Sequence, residues 1–279
     1  METNEILDRA RRDIQARRAA AERQKEQPWL WAFLGLTLTL IVGVLLLPGN
    51  TVAERLGVAV QGVCSQAHYL FIDEARLPLC ARNTGIYAGF LGSLLYLLVL
   101  GRGRAGKLPP WPITLLVAAG VVVMGVDGTN SLLLDIGGLH LYEPRNELRL
   151  ASGLLMGTAL AVFLLFMLNL SLRANVRTDQ PILRNWPEYL GALAANALLW
   201  AIVWYAPGVL LYPVAIFSVL GIVGVLFVTN VFLVGMITGL EGRVLRLQQL
   251  ARPATIALLL TTSELGLLGW LRTVVERQA

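Results

Sequence analysis

Long apolar runs separated by short polar segments dominate the sequence. Seven of these runs are long enough for helices that cross a bilayer, whose hydrocarbon core needs about 20 mostly apolar residues. We predict transmembrane spans at 29–47, 84–100, 111–127, 149–172, 187–206, 208–237 and 251–271. The expected fold is therefore an all-α membrane helix bundle, in which the seventh span has the weakest pattern because Glu264 interrupts it.

Composition supports a membrane protein over a soluble one. The 279 residues are 56% hydrophobic and 15% charged, whereas soluble domains average about 45–50% apolar and about 25% charged residues. The first apolar run starts only at residue 29, behind a charged segment. A removable signal peptide would place its apolar run closer to the start, so we expect this run to remain as an anchor.

Basic residues are distributed unevenly among the segments that join the spans. With a cytoplasmic N-terminus, 16 of the 23 Lys and Arg residues lie in inner segments and seven in outer ones. Short cytoplasmic loops carry such an excess of positive charge. We therefore predict a cytoplasmic N-terminus in the cell (plasma) membrane, which places residues 48–83 and 128–148 at the outer face.

The polar segments suggest how the chain is organised. Residues 1–28 fit a charged, amphipathic cytoplasmic tail, and 173–186 form a polar linker between a four-span core (29–172) and a three-span hydrophobic module (187–279). Two outer segments, 51–63 and 128–141, are too short to span but half apolar. We expect both to lie in the interface or to re-enter the membrane as half-helices.

Polar residues gather where the third and fourth spans reach the outer face. Asp127 and Asn130 share a helix face if the third helix continues beyond its apolar run. Arg145, Asn146 and Arg149 then open the fourth span. The excess of guanidinium over carboxylate favours an anion, because arginine matches phosphate and carboxylate with two parallel hydrogen bonds. We predict that these five residues bind an anionic lipid headgroup or a small anion.

Other roles for these residues remain open. Asp127 and Arg149 form, in one alternative, an ion pair that only locks the third span to the fourth, since charges within a membrane need partners. In another, Asp127 is the acid or base of an outer-leaflet enzyme and Arg149 holds the anionic group. Glu264, in the outer half of the last span, is a candidate ligand, proton carrier or partner for Arg149.

The two cysteines, Cys64 and Cys80, enclose an outer segment that also contains His68. On an oxidising face, an isolated cysteine pair is expected to form a disulfide. A weaker alternative is a metal site made by Cys64, His68 and Cys80, because thiolate and imidazole suit zinc or copper. Two thiols without a bond between them are the third possibility.

Motifs in the first half of the chain resemble a family of bacterial multi-spanning membrane proteins of unknown function. That family carries Cys-His-Gln followed by Pro-x-Cys-Ala-Arg-Cys-Thr-Gly-Ile-Tyr-x-Gly. The matching residues here are Cys64, Gln66, Pro78, Cys80, Ala81, Arg82, Thr84, Gly85, Ile86, Tyr87 and Gly89, and later motifs match Asp127, Gly128, Asn130, Asn146, Arg149, Ser152 and Gly153. The resemblance covers about 60–157 and implies one module, but it implies no activity.

Two positions depart from the family pattern. Ser65 stands where the family has histidine, and Asn83 stands where it has a third cysteine. A metal cage or a thiol-exchange centre would need those residues, so the resemblance favours a Cys64–Cys80 disulfide that holds the segment near the Asp127 region.

Several function classes are not supported by any motif. There is no HExxH, no Gly-rich phosphate loop and no basic patch interleaved with aromatic residues, so we expect no cofactor and no nucleic-acid partner. The leading hypothesis is binding or transport of an anionic lipid or small anion. The alternatives are an outer-leaflet enzyme and a structural or assembly subunit with membrane-protein partners.

Overall fold

The computed structural model describes residues 2–64, 68–72, 74–205 and 207–278, with side chains from residue 24 onward. Helices dominate this part of the chain. They are α1 (Glu2–Leu45), α2 (Val52–Ala59), α3 (Ala81–Val99), α4 (Trp111–Asp135), α5 (Asn146–Leu172), α6 (Trp186–Tyr205), α7 (Leu211–Ile237) and α8 (Ala251–Gln278). Four short strands accompany them: β1 (Tyr69–Ile72), β2 (Ala75–Cys80), β3 (Ala105–Lys107) and β4 (Arg177–Pro181).

Each predicted span coincides with one long helix, and the chain folds as a helix bundle. Five helical segments are long and apolar enough to cross a membrane: Gln24–Leu45, Trp111–Asp135, Asn146–Leu172, Gly208–Ile237 and Leu247–Gln278. α3 and α6 are shorter and include polar residues such as Arg82 and Glu188. Seven spans and a cytoplasmic N-terminus therefore stay predictions.

Glycines hold the centre of the bundle together. α3 packs against α5, α6 and α7, and a Cβ added at Gly157 of α5 would lie 2.4 Å from the carbonyl oxygen of Ile86 in α3. A Cβ at Gly221 of α7 would lie 2.1 Å from the carbonyl oxygen of Tyr87. Small residues allow helix backbones to approach this closely. The contacts of α3 with α6 and α7 also join residues on both sides of the predicted linker 173–186.

The two half-apolar outer segments differ in structure. Residues 51–63 contain the short helix α2, and its position in the membrane interface or as a re-entrant half-helix stays a prediction. The alternative that predicted a separate half-helix at 128–141 was wrong, because α4 continues without a break to Asp135. The chain then turns at Gly137, whose φ of 73° suits glycine, and runs as an irregular loop to Arg145.

Two small sheets were not expected from the sequence. β1 and β2 form an antiparallel hairpin, and β3 pairs with β4 in parallel. In β1, Leu70 and Ile72 are buried while Phe71 is exposed, which is the alternation of a half-buried strand. The hairpin covers one end of the bundle, here named the hairpin end; the predicted orientation would place it outside.

Candidate functional site

A buried polar cluster lies at the hairpin end between α3, α4 and α5. The Asp127 cluster, as we name it, comprises Arg82, Asp127, Asn130, Ser131, Tyr142, Asn146, Arg149 and Ser152. Asp127 and Arg149 are only 3% and 4% exposed to solvent. Polar groups this deeply buried are stable only when they are hydrogen-bonded or paired.

Both carboxylate oxygens of Asp127 are occupied. Arg82 donates to Oδ2 from Nη2 at 2.7 Å and from Nε at 3.1 Å, and Ser152 donates to the same oxygen at 3.1 Å. The hydroxyl of Tyr142 donates to Oδ1 at 2.7 Å. Arg82 also donates to the backbone oxygen of Asp127 and to the hydroxyl of Ser131. Asp127 thus connects α3, α4, α5 and the loop before α5.

Asn130 fixes that loop to α4. Its amide nitrogen donates to the carbonyl of Tyr142 at 2.9 Å, and its amide oxygen accepts from the backbone N–H of Leu141 and of Tyr142. The prediction that Asp127 and Asn130 share a helix face is confirmed, since α4 extends past both. Burial and the hydrogen bond to Asp127 raise the pKa of Tyr142 to about 12, which keeps its hydroxyl protonated as a donor.

Arg149 lies beside Asp127 but does not pair with it. Its Nε donates to the hydroxyl of Ser131 at 3.3 Å, and its Nη1 donates to Oδ1 of Asn146 at 3.0 Å. Among the residues that the structure describes, no carboxylate forms a salt bridge with Arg149. The alternative in which Asp127 forms an ion pair with Arg149 was therefore wrong, because Arg82 takes that position.

Arg82 is the residue that sequence reasoning missed. It matches the cysteine motif, 45 positions before Asp127, but was not included among the predicted site residues. The first turn of α3 carries it into the bundle, where it is 8% exposed. A charged residue at the start of an apolar helix, facing the same side as Gly85 and Gly89, was the signal that it points inward.

The two remaining candidate ligands lie away from the centre of the cluster. Arg145 is exposed at the N-cap position of α5, one turn before Arg149. Glu264 accepts a hydrogen bond from Asn230 of α7 at 3.0 Å, so it joins α8 to α7 and is not a partner of Arg149. Asn230 itself acts as a link between helices, as does Asn196, which donates to Thr158 of α5.

Cys64 and Cys80 are buried thiols that no disulfide joins. Their side chains interact directly: the hydrogen bond with Cys64, together with burial, raises the pKa of the Cys80 thiol. The Cys64–Cys80 disulfide thus stays a prediction, although the two side chains are adjacent. Ser65 and Gln66, which belong to the same motif, lie outside the described residues.

The candidate metal ligands are not brought together. Nε2 of His68 lies 3.1 Å from Oδ1 of Asp135, which ties the chain before β1 to the end of α4. Within the described ranges, no three His, Cys, Asp or Glu side chains are grouped as metal ligands. His68 therefore serves as a link between the hairpin and α4 and is not near enough to complete a site with Cys64 and Cys80.

Comparisons with known proteins agree with this picture in broad terms. A family model described as "Predicted membrane protein (DUF2085)" matches residues 64–163. The matched segment includes the hairpin, α3, α4 and most of α5, and it contains every residue of the Asp127 cluster. The chain is thus similar to an uncharacterised membrane-protein family. No curated protein and no solved structure matches the chain.

Proposed function

We propose that the protein is a plasma-membrane protein that binds an anionic group at the Asp127 cluster, with Arg149 as the main contact. The group is the headgroup of an anionic lipid or a small anion. One observation carries the proposal: two guanidiniums, Arg82 and Arg149, are buried beside one carboxylate whose two oxygens are already bonded.

The charge balance explains why an anion would bind there. Asp127 compensates Arg82, and the next carboxylate, Asp135, is bonded to His68. Among the described residues, Arg149 donates hydrogen bonds to the neutral oxygens of Ser131 and Asn146 and forms no salt bridge. A buried guanidinium that is not bonded to a carboxylate is costly, and a phosphate or carboxylate placed against it offsets that cost.

Arg145 supplies a path from the surface. Arg145 is exposed at the N-cap of α5, one helical turn before Arg149. An anion that first meets Arg145 can move one turn along α5 to Arg149 and Asn146. The two arginines then bind it with parallel N–H donors, an arrangement that suits phosphate and carboxylate.

The structure favours binding over catalysis by Asp127. A general acid or base needs an oxygen that can reach a substrate, whereas Arg82, Ser152 and Tyr142 occupy both oxygens of Asp127. Tyr142 would have to move before a substrate could approach. The carboxylate therefore acts as a fixed counter-charge that holds Arg82 and orients the loop.

Native mass spectrometry of the detergent-purified protein tests the proposal. The wild-type protein should carry an anionic lipid or small anion as an added mass. Arg149→Lys keeps the positive charge but removes the forked geometry, and hydrogen bonds to charged groups contribute about 1.5–3 kcal/mol each. The occupancy of the added mass should therefore fall about tenfold or more.

Arg243→Lys is the matched control, because Arg243 is exposed at the opposite end of the bundle. Thermal unfolding in the same detergent checks that both variants remain folded. An Arg149→Lys protein that is folded and retains the wild-type added mass would refute the proposal. Stable co-purification of other membrane proteins in place of a small ligand would instead favour a structural or assembly subunit.

A further inference from the structure

A cavity at the end of the bundle opposite the hairpin is lined by arginines. Its volume is about 560 Å³. The arginine pocket, as we name it, has four guanidinium side chains among its lining residues: Arg104, Arg173, Arg177 and Arg246. They come from four different segments, namely the turn after α3, the end of α5, β4, and the segment that follows α7.

Backbone contacts hold these segments together. The N–H of Arg177 donates to the carbonyl of Arg104 at 2.8 Å, within the parallel pairing of β3 and β4. Arg173 forms a bridge with Val244, whose N–H donates to the carbonyl of Leu172. The backbone that carries the pocket is therefore fixed by the fold; Arg173 is partly buried, whereas Arg104, Arg177 and Arg246 are exposed around the cavity.

The fully buried side chain of Asn169 holds two parts of the pocket in place through hydrogen bonds. Asn169 accepts a hydrogen bond from Nε of Arg173 at 3.0 Å and donates to the carbonyls of Arg102 and Ala105. One side chain thus positions Arg173 and also fixes the turn that carries Arg104. Burial, together with the charge of Arg104, lowers the pKa of Arg173.

The four arginines differ from their neighbour Arg102 in having no acidic partner. Arg102, two residues before Arg104, forms a salt bridge with Glu188 of α6. For the four pocket arginines, no salt bridge occurs within the part of the chain that the structure describes. The fold therefore concentrates positive charge around one cavity, and a bound anionic group would neutralise that charge.

Leucines form the remaining large side chains of the pocket. Leu98, Leu245 and Leu247 line it and are about half exposed or more. A cavity for a free, hydrated anion would gain little from exposed leucines. Arginines next to leucines match instead the two parts of a phospholipid, a phosphate and the first carbons of its acyl chains.

We propose that the arginine pocket binds the phosphate of an anionic membrane phospholipid, with the leucines against its acyl chains. This site is separate from the Asp127 cluster and does not rest on the function proposed for that cluster. In the predicted orientation it faces the cytoplasmic leaflet, where basic pockets between helices bind anionic headgroups.

The test compares two double variants of the full chain that remove equal charge. Arg104→Gln with Arg177→Gln changes the pocket, whereas Arg184→Gln with Arg243→Gln removes two exposed arginines that do not line it. Each protein is placed in nanodiscs of phosphatidylcholine containing a small fraction of phosphatidylglycerol. Native mass spectrometry then gives the enrichment of bound phosphatidylglycerol over its fraction in the disc.

We expect enrichment in the wild type and in the Arg184/Arg243 variant, and a loss of about tenfold or more in the Arg104/Arg177 variant. Equal losses in both double variants would show general attraction to positive charge and would overturn the proposal. In a second arm, inorganic phosphate is titrated into the wild-type protein in the same nanodiscs. Displacement of phosphatidylglycerol by phosphate at a comparable concentration would show that the ligand is a free anion and would also overturn it.

Arg149→Lys separates this proposal from the function proposed above. The variant leaves the arginine pocket intact, so enrichment of phosphatidylglycerol at the pocket should be unchanged. If the arginine-pocket proposal fails, the effect of Arg149→Lys on the added mass still tests the Asp127 cluster. If the Arg149→Lys experiment fails, the enrichment of phosphatidylglycerol still tests the arginine pocket.

Discussion

Arg82 and Asp127 form a buried ion pair in which two guanidinium nitrogens donate to the same carboxylate oxygen. The pair joins the first turn of α3 to α4, and Arg149 lies next to it with no salt bridge to any carboxylate in the described part of the chain. Because Asp127 is the carboxylate bonded to Arg82 and lies near Arg149, its removal would leave two buried positive charges close to each other.

Asp127→Asn should destabilise the protein strongly. Breaking a buried pair by removing one partner costs about 3–5 kcal/mol, because the remaining charge stays buried. Thermal unfolding in detergent is the measurement, and Asp135→Asn is the control because the Asp135 side chain is about a third exposed. The Asp127 variant should unfold at a clearly lower temperature than the control.

Replacing both partners distinguishes an ion pair from a mere loss of packing. Arg82→Met combined with Asp127→Leu removes both charges and leaves apolar side chains of similar size. Such replacements are often neutral, so the double variant should recover part of the stability that Asp127→Asn loses. An Asp127→Asn protein as stable as the Asp135→Asn control would contradict the buried ion pair.

The positions predicted from the long apolar runs match the observed helices, because a helix surrounded by lipid needs a continuous apolar surface. The second run, predicted at 84–100, became α3 at Ala81–Val99. Asp127 and Asn130 were paired correctly because their spacing of three fixes their relation within one helix. Arg82 could not be paired with Asp127 in this way, since their contact depends on how α3 and α4 pack.

The strands show a second limit of the sequence. β1 and β3 contain four and three residues, too few for a clear alternation of apolar and polar positions. The parallel pairing of β3 with β4 joins segments about 70 positions apart. Only the packing of α3 against α5 and α6 brings those segments together, and no local pattern encodes it.

The close helix contacts predict that alanine substitutions at two glycines will have different effects on the unfolding temperature. Gly221→Ala would place a Cβ 2.1 Å from the carbonyl oxygen of Tyr87, whereas Gly125→Ala in α4 would meet no atom within 4 Å. Overpacking costs about 1–3 kcal/mol, so Gly221→Ala should lower the unfolding temperature. Gly125→Ala should leave it unchanged or raise it slightly. Equal effects of the two substitutions would argue against the packing of α7 on α3.

Tyr142 predicts a pH effect. Its pKa is raised to about 12, above the ordinary value of about 10, so the folded protein holds this proton more tightly than the unfolded chain does. The stability contributed by Tyr142 is complete below about pH 10 and is lost as the pH rises toward about 12. Ultraviolet titration of wild type minus Tyr142→Phe should show one late-ionising tyrosine. A difference spectrum that appears near pH 10 would contradict the hydrogen bond to Asp127.

The two cysteines should form a disulfide under mild oxidation. Their side chains already interact, and the raised pKa of the Cys80 thiol should make alkylation of the folded protein slow, since the thiolate is the reactive form. Treatment with diamide should remove two hydrogens from the mass without producing a dimer. Cys64→Ser is the control and should show no such loss. Rapid alkylation of Cys80 in the folded wild type would contradict its burial against Cys64.

Labelling of single introduced cysteines tests the number of spans and the orientation together. Phe71, Leu139 and Leu245 are all more than half exposed, and each is changed to Cys in turn. α3 and α4 lie between the first two positions, and α5, α6 and α7 lie between the last two. If all five helices cross, a membrane-impermeant maleimide added outside cells should label positions 71 and 139, and position 245 only after permeabilisation. Opposite sides for 71 and 139 would show that α3 does not cross, whereas equal sides for 139 and 245 would show the same for α6.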